Sequence, residues 1–310
     1  HVGEYGVILG EGCKGNRLAQ CHIHDLGGGG VRLGETDLPA EPHRQADHNT
    51  VDNCFIHDGG HVFRAGIGVW IGRSSFNEVV HNEIADAFYS GVSVGWSWGY
   101  APTTAHDNLV AHNHIHHIGK GVLSDMGGVY TLGVSPGTRV VHNHIHDVMD
   151  FAYGGWGLYT DEGSSGIELS DNLVHSTHST PFHQHYGENN TVTNNILAFG
   201  REGQLRRSRE HEEDQHSFDI TRNIVVSNNG LLLQGVWGNG LFSRDYNLYW
   251  DVGGDPPLFN CRTLAEEQAA GIDVHSAVAD PLFEDALHFD FRLKPGSPAL
   301  ALGFVPFDLG

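Results

Sequence analysis

The middle of the chain carries carboxylates of the kind that perform acid–base chemistry. Asp125 stands just before Gly127 and Gly128, and Asp161 and Glu162 follow an aromatic-rich segment further along the chain. Hydrolysis of a glycosidic bond requires one carboxylic acid that protonates the leaving oxygen and one carboxylate that acts as base or nucleophile. The predicted catalytic residues are therefore Asp125 and Asp161, with Glu162 as the alternative partner. A turn cap beside the two glycines is the competing interpretation of Asp125.

Aromatic, histidine and arginine side chains accompany these carboxylates. Tryptophan and tyrosine rings offer an apolar face to the C–H side of a sugar, and arginine can hold an acidic sugar group through two hydrogen bonds. The predicted substrate-binding residues are Trp96, Trp98, Tyr130, Tyr159, His183, His185, Arg207 and Arg209. Two other interpretations stay open. In the first, the rings do no more than stabilise a sheet by stacking. In the second, the arginines of residues 204–211 do no more than neutralise Asp161, Glu162 and Glu210.

Two sequence phrases recur along the chain and must position these side chains. One phrase places an asparagine between apolar residues, often followed by histidine, as in residues 110–116 and 140–147. Its asparagines, at intervals of 23 to 31 residues, are Asn53, Asn82, Asn113, Asn143, Asn172, Asn195, Asn223 and Asn247. The other phrase has glycine before alternating apolar residues and starts, for example, at Gly30, Gly68, Gly91, Gly128 and Gly157. Repeats of this length indicate a solenoid.

Short strands joined by short turns cannot pair with each other inside one repeat. They pair in parallel with the same strand of the next repeat, about 4.8 Å away, and such crossovers are right-handed. The sequence therefore predicts an all-β fold, a right-handed parallel β-helix of about nine rungs over residues 1–250. Residues 251–310, with a short helix from Thr263 to Ala270, are predicted to form a capping tail of the same domain that wraps over the last rung. A β-propeller is excluded because its blades need about 40–45 residues.

Alignment of the repeats places side chains in columns on one outer face of the solenoid. Period-two alternation points one residue of each glycine phrase outward, which gives the column Arg32, Trp70, Ser93, Tyr130, Tyr159 and His183. Asp161 and His185 share a second column on adjacent rungs, so their side chains should lie within roughly 5–6 Å. The site is therefore predicted on this strand face. In the asparagine column, each asparagine is expected to adopt a left-handed turn conformation and to stack on the next.

Composition and charge exclude several classes of function. With 38 acidic and 17 basic residues, the chain has a formal net charge of −21. This charge argues against nucleic acid as a partner, because the phosphate backbone requires neutralisation by lysine and arginine. It also disfavours a strongly anionic polysaccharide. No apolar run in the sequence is long enough for a transmembrane helix, so no membrane partner is predicted.

No cofactor and no resident metal are predicted. The four cysteines show no CxxC spacing, and Cys13 and Cys21 could either pair in an oxidising compartment or remain buried thiols. The 24 histidines fall mostly in the asparagine phrase, so the repeat accounts for them without a metal. The first repeat begins at Gly6 with nothing before it to cover the core. Because solenoids need capping ends, we expect further residues upstream of His1 in the full protein, which is expected to be a monomer.

Four segments carry a resemblance to a known family: residues 94–100, 125–133, 155–165 and 182–187. They resemble bacterial right-handed β-helix repeat proteins and are similar to glycoside hydrolase family 141, which has fucosidase and xylanase activities. The resemblance covers roughly residues 90 to 250 and the tail, without the family's N-terminal part. It implies two catalytic carboxylates on adjacent rungs, which by matching motifs are Asp125 and Asp161. It also implies a secreted or periplasmic hydrolase of plant or algal polysaccharide.

Two other functions fit the same scaffold. A polysaccharide lyase would use an arginine or a histidine as base, with Ca²⁺ to neutralise a uronate, and Arg206, Arg207 and Arg209 keep this alternative open. The second alternative function is a solenoid without catalytic activity that binds carbohydrate or promotes adhesion. An unsaturated product would identify a lyase, whereas new reducing ends without that product would identify a hydrolase.

Overall fold

The computed structural model describes residues 3–209 and 215–309. Three parallel sheets run along the solenoid, and each full turn of the chain contributes one short strand to each sheet. The prediction of an all-β, right-handed parallel β-helix is confirmed, and the solenoid has about ten turns. The asparagine phrase contains two strands joined by a corner, as in Arg139–Val141 and His144–Val148.

The three sheets are numbered by the order in which one turn visits them. The strands of sheet 1, which contain the glycine phrase, are Val7–Leu9, Val31–Leu33, Val69–Ile71, Val92–Val94, Met126–Thr131, Gly155–Thr160, Phe182–Gln184, Leu205–Arg207 and Leu233–Gly235. Those of sheet 2 are Arg17–Ala19, Thr50–Asp52, Glu78–Val80, Leu109–Ala111, Arg139–Val141, Glu168–Ser170, Asn190–Thr193, Phe218–Thr221 and Phe242–Asp245. Those of sheet 3 are His22–Ile23, Phe55–His57, Glu83–Ala85, His114–Ile118, His144–Val148, Leu173–Thr177, Ile196–Ala198, Ile224–Ser227, Leu248–Asp251 and Ala277–Val278.

Few helices accompany the sheets. In residues 3–209 and 215–309, two short 3₁₀ helices and two short α-helices lie outside the sheets: Pro42–Arg44, Ala286–His288, Leu264–Ala269 and Pro298–Ala301. Phe283–Asp285 and Asp290–Leu293 form an antiparallel pair in the tail. The longest helix in the described ranges has six residues, far fewer than a membrane crossing requires.

A ladder of asparagines fixes the corner between sheets 2 and 3. The backbone N–H of Asn143 donates to Oδ1 of Asn172 at 3.0 Å, and the side-chain amide of Asn143 donates to the same oxygen at 3.0 Å. The predicted stacking is confirmed, but the left-handed conformation belongs to the preceding residue, such as His142 with φ 56°. The reversal of chain direction therefore occurs one residue earlier than predicted, which leaves the asparagine side chain buried inside the corner.

The first copy of the ladder differs from the predicted alignment by one residue. Asn53 takes the left-handed position with φ 51°. Cys54 occupies the ladder position instead, where its backbone N–H donates to Oδ1 of Asn82 at 2.9 Å. All four cysteines are free thiols, so Cys13 and Cys21 are unpaired.

A second asparagine ladder, absent from the predicted repeats, fixes the corner that precedes sheet 2. The backbone N–H of Asn49 donates to Oδ1 of Asn77 at 3.1 Å, and that of Asn77 donates to Oδ1 of Asn108 at 3.0 Å. Both ladders satisfy buried backbone groups at corners that water does not reach. They hold consecutive turns in one register, so the outward columns of sheet 1 follow from the sequence alignment.

The C-terminal residues cover two different surfaces of the solenoid. The predicted short helix is present as Leu264–Ala269, with Thr263 as its capping residue, and it joins the last strand of sheet 2 through a buried ion pair between Glu267 and Arg244.

The tail beyond this helix lies along the side of the solenoid, not over its last turn as predicted. Its buried aromatic side chains pack against the outer face of sheet 3, and they are Phe283, Phe291 and Phe304. The reason lies in one outward column of sheet 3, which changes from His114 and His144 to apolar residues in the next turns. The apolar members of that column are Leu173, Ile196, Ile224 and Leu248.

Candidate active site

A cavity of about 520 Å³ opens on the outer face of sheet 1, in the middle turns. It lies on the strand face that the sequence predicts to carry the site. The predicted residues among its lining are Asp125, Asp161, Glu162, Trp96, Trp98, Tyr130, Tyr159, His183 and His185. The structure therefore gathers residues that are up to about 90 positions apart in sequence around one space.

Strand register sets the floor of the cavity. Ser93 pairs with Tyr130, Tyr130 with Tyr159, and Tyr159 with His183, each in the next turn of sheet 1. This is the predicted outward column. The next outward residue is Arg206, which pairs with His183 and also lines the cavity.

Asp161 is the first residue after the strand Gly155–Thr160, and it is almost completely buried. Its Oδ1 lies 2.7 Å from Nδ1 of His185, and its Oδ2 accepts a hydrogen bond from the Tyr130 hydroxyl. The predicted contact between Asp161 and His185 is confirmed. Burial raises the pKa of Asp161, but hydrogen bonds from His185, Tyr130 and Tyr159 outweigh it, so the pKa lies below the usual range.

Asp125 faces Asp161 from the preceding turn. It stands immediately before the strand Met126–Thr131 with φ 61°, a turn conformation that aspartate tolerates. Its carboxylate nevertheless points into the cavity, where Oδ1 accepts a hydrogen bond of 3.1 Å from the Tyr159 hydroxyl. Burial and the negative charge of Asp161 raise the pKa of Asp125. The pKa values of the two carboxylates are thus shifted in opposite directions.

Glu162 provides a third carboxylate on the cavity wall. Strand alternation would point it away from Asp161, but the strand ends at Thr160, so alternation no longer applies. Its Oε2 accepts a hydrogen bond of 3.1 Å from the Tyr186 hydroxyl. Burial and the charge of Glu162 raise the pKa of Tyr186 to about 12. Glu162 therefore borders the site beside the Asp125 and Asp161 pair.

Trp96 and Trp98, in the segment that precedes the middle turns, form an aromatic wall of the cavity. Trp96 and Trp98 meet edge to face with ring centroids 5.2 Å apart, and the side chain of Trp98 is 54% exposed. Gly99 rests against the corner at Gly163, where an added Cβ would lie 2.1 Å from the Gly99 carbonyl oxygen. Because of this close approach and its φ of +75°, position 163 has no room for a side chain.

His183 belongs to the floor of the cavity and is almost fully buried. Its ring stacks on Tyr159 at 4.8 Å and lies 4.2 Å from the ring of Trp156. Its Nε2 is hydrogen-bonded to the Ser208 hydroxyl. Burial, together with the positive charge of Arg206, lowers the pKa of His183 well below its usual value. The imidazole is therefore neutral at neutral pH.

The structure corrects the prediction for Arg207. In the strand Leu205–Arg207, the middle residue points outward and Arg207 points inward, where it is fully buried. One guanidinium nitrogen of Arg207 donates to Oδ1 of Asn239 at 2.6 Å. Arg207 therefore packs in the core, and Arg206 is the arginine that lines the cavity. Which residues of this strand point inward follows from its pairing with Phe182–Gln184.

Arg209 lies outside the cavity lining and is exposed, with its guanidinium 4.3 Å from the centre of the Tyr186 ring. It contacts Tyr186, whose hydroxyl in turn donates to Glu162. The remaining predicted members of this segment, Glu210 and His211, lie outside the described residues.

Several lining residues were missed from the sequence. They are Tyr89, Tyr153, Trp156 and Glu202. The Tyr89 hydroxyl donates to the carbonyl oxygen of Asp125 at 2.8 Å, a contact that no repeat phrase encodes. Arg206 was named only for the lyase alternative. Its outward position could have been found, because residues 204–207 align with the glycine phrase once glutamine is accepted in place of glycine.

Several solved structures are similar to this chain. A structure described as a glycoside hydrolase is 29% identical, with a TM-score of 0.53, and the match covers 56% of this chain and 32% of that one. The chain thus spans about a third of its length. The complex of XylC with xylose matches 87% of this chain and 39% of that one at 15% identity and a TM-score of 0.46. A mannuronic acid specific polysaccharide family 6 lyase is 11% identical, with a TM-score of 0.29, and the match covers 89% of this chain and 87% of that one.

No curated protein matches the chain. The family described as "right handed beta helix region" matches residues 1–156, which is half of the sequence. The three parallel sheets, the two asparagine ladders and this match agree, and the chain belongs to the right-handed β-helix family.

Proposed function

We propose that this protein is a glycoside hydrolase in which Asp125 is the general acid and Asp161 is the nucleophile or base. The observation that carries the proposal is the pair of carboxylates that face one cavity from adjacent turns, each held by hydrogen bonds from cavity side chains. Hydrolysis of a glycosidic bond needs such a pair. The similarity to a glycoside hydrolase at 29% identity supports the same class of reaction.

The environments of the two carboxylates support this division of roles. A general acid must keep its proton until the leaving oxygen needs it, and the raised pKa of Asp125 favours the protonated form. A nucleophile or base must be ionised, and the lowered pKa of Asp161 favours the carboxylate. Two titratable groups whose pKa values are pushed apart are the usual sign of such a division of roles.

A polysaccharide or oligosaccharide is the substrate that the cavity walls favour. The exposed ring of Trp98 and its neighbour Trp96 provide a platform beside the carboxylates, and aromatic faces bind the apolar face of a sugar. The strongly negative chain suits a neutral glycan, while Arg206 provides one cation for an acidic group. Action on such a polymer is consistent with a secreted or periplasmic protein.

The proposal is tested by incubating the protein with a panel of plant and algal polysaccharides. We expect new reducing ends and no unsaturated product, and both Asp125→Asn and Asp161→Asn should lose this activity while keeping the β-sheet circular dichroism spectrum. An unsaturated uronate product would instead identify a lyase with Arg206 at its site. Binding without any cleavage would identify a carbohydrate-binding solenoid.

Trp98→Ala is expected to raise KM about tenfold, the effect of about 1.4 kcal/mol of lost stacking, with little change in kcat. The ring lies on the cavity wall and not against the carboxylates, so it should contribute equally to ground-state and transition-state binding. Initial rates over a range of oligosaccharide concentrations measure both constants. Phe55→Ala, which removes an exposed ring from sheet 3, should change neither. A fall in kcat at constant KM would contradict the role as a platform.

His185→Leu is expected to move the acidic limb of the pH profile of kcat/KM to higher pH. The hydrogen bond from His185 is the largest influence that lowers the pKa of Asp161 against its burial. Without this bond the pKa of Asp161 rises, so a higher pH is needed to ionise the carboxylate. His48→Leu, an exposed histidine on another corner, is the matched control and should leave the profile unchanged. An acidic limb that stays in place would show that Asp161 does not govern it.

A further inference from the structure

Sheet 3 carries a patch of outward-facing histidines that the carboxylate cavity does not use. His144 and His146 lie two positions apart in the strand His144–Val148, so both side chains stand on the same face. His114 in the neighbouring strand pairs directly with His144. All three side chains are half-buried. The sequence repeat explains why histidines recur, but not why three imidazoles converge at this point.

The ring nitrogens of these histidines lie close enough to share an ion. One nitrogen from each of His114, His144 and His146 lies within 4.8 Å of the other two, and Nε2 of His114 is 2.8 Å from Nε2 of His146. Around a tetrahedral zinc ion with Zn–N bonds of about 2.0–2.1 Å, such nitrogens stand about 3.4 Å apart. The 2.8 Å separation and the 4.8 Å upper limit therefore lie on either side of this ligand spacing.

The hydrogen bonds of His146 present the correct nitrogen. Its Nδ1 lies 2.8 Å from Oδ2 of Asp147. A carboxylate only accepts hydrogen bonds, so Nδ1 of the neutral ring carries the proton, and Nε2 offers its lone pair toward His114. A carboxylate that orients a histidine through its second nitrogen is the arrangement that supports metal-binding histidines elsewhere.

We propose that His114, His144 and His146 bind one late first-row divalent ion, such as Zn²⁺, on the outer face of sheet 3. Imidazole suits this class of ion, and the fourth position would be left to water. The ion would connect two adjacent turns of the solenoid through their outer faces, on a different sheet from the carboxylate cavity.

The burial of its members supports this choice of ligands, because His114, His144 and His146 are all half-buried. The overlapping groups Glu83–His114–His116 and His117–His146–Asp147 contain more exposed members, which water screens more strongly.

The test is a calorimetric titration of ZnCl₂ into protein freed of metal, with Co²⁺ absorption as a second readout of coordination geometry. We expect Zn²⁺ binding by the wild type and a tetrahedral Co²⁺ spectrum with imidazole ligands. His144→Leu and His146→Leu should each weaken Zn²⁺ binding by about 100-fold or more. His114→Gln, which keeps a polar side chain at the patch, is a third variant that protects the test against loss of folding.

Matched controls locate the site. His106→Leu removes a partly exposed histidine paired with Asp107 and should bind Zn²⁺ as the wild type does. His57→Leu changes the separate group of His22, His24 and His57 and should leave the Co²⁺ spectrum unchanged. Absence of Zn²⁺ binding by the wild type would overturn the proposal. Unchanged binding in the variants at positions 114, 144 and 146, or loss of the spectrum in His57→Leu, would overturn it as well.

Discussion

Asp161→Asn is expected to lower kcat on the order of 10³-fold, the largest effect of any single substitution in the cavity. Asparagine keeps the shape of the side chain but cannot carry the negative charge that a nucleophile or base requires. The hydrogen bonds from Tyr130 and His185 hold the carboxylate in place, so a neutral replacement removes chemistry more than structure. Hydrolysis rates on the best polysaccharide of the panel measure the loss.

The paired variant Asp125→Asn separates the two carboxylate roles. A general acid is needed only when the leaving group is poor, so Asp125→Asn should be strongly impaired on polysaccharide but active on an aryl glycoside with an acidic phenol. Asp161→Asn should be impaired on both substrates. Asp219→Asn, which alters an outward aspartate of sheet 2, is the control and should behave as the wild type. If Asp161→Asn cleaved polysaccharide at the wild-type rate, the assignment of the pair would be wrong.

Arg244→Met is expected to reduce the free energy of unfolding by about 3–5 kcal/mol. The Arg244 side chain is completely buried and forms ion pairs with Asp273 and, at 2.6 Å, with Glu267. Methionine fills the space but leaves the buried Asp273 carboxylate without its cation, while Glu267 keeps its ion pair with the exposed Arg262 at 3.1 Å. Removal of one partner is the costly case for a buried ion pair. Denaturation with urea, followed by circular dichroism, measures the loss.

The control for this prediction is an exposed arginine in the same sheet. Arg139 pairs with Glu168 at 2.9 Å on the surface of sheet 2, and both side chains are exposed. Exposed pairs contribute about 1 kcal/mol or less, so Arg139→Met should have a small effect. Equal losses in the two variants would show that burial of the Arg244 pair does not determine its contribution.

The parts of the site that depend on repeat register were predictable from the sequence. Asp161 and His185 are neighbours because each follows the strand of sheet 1 in its own turn, and alignment of the phrases reveals that position. Features that depend on the backbone conformation of a single turn were harder to predict from the sequence. The direction of the Asp125 carboxylate depends on one left-handed residue, and the inward position of Arg207 depends on strand parity in a turn that lacks the usual glycine.

The errors in the tail and in the asparagine column have the same physical origin. Each residue of a solenoid has neighbours in the turns above and below it as well as neighbours along the chain. The linear sequence shows only the neighbours along the chain. The apolar change at Leu173 in the sheet 3 column is visible only after the turns are stacked, and it is this change that attracts the tail. The left-handed residue before Asn143 was likewise hidden by an alignment centred on asparagine.

The tail also alters how the solenoid should come apart. A stack whose turns contact only their neighbours can unravel from either end, one turn at a time. Here the last residues return to the middle of the stack: Nδ1 of His112 lies 3.2 Å from the carbonyl oxygen of Leu309, and that of His142 lies 3.2 Å from the carbonyl oxygen of Asp308. A force applied to Leu309 therefore acts on turns near the centre of the stack before it acts on the last turn. The contacts of Asp308 and Leu309 with His142 and His112 must break before the turns can separate from that end.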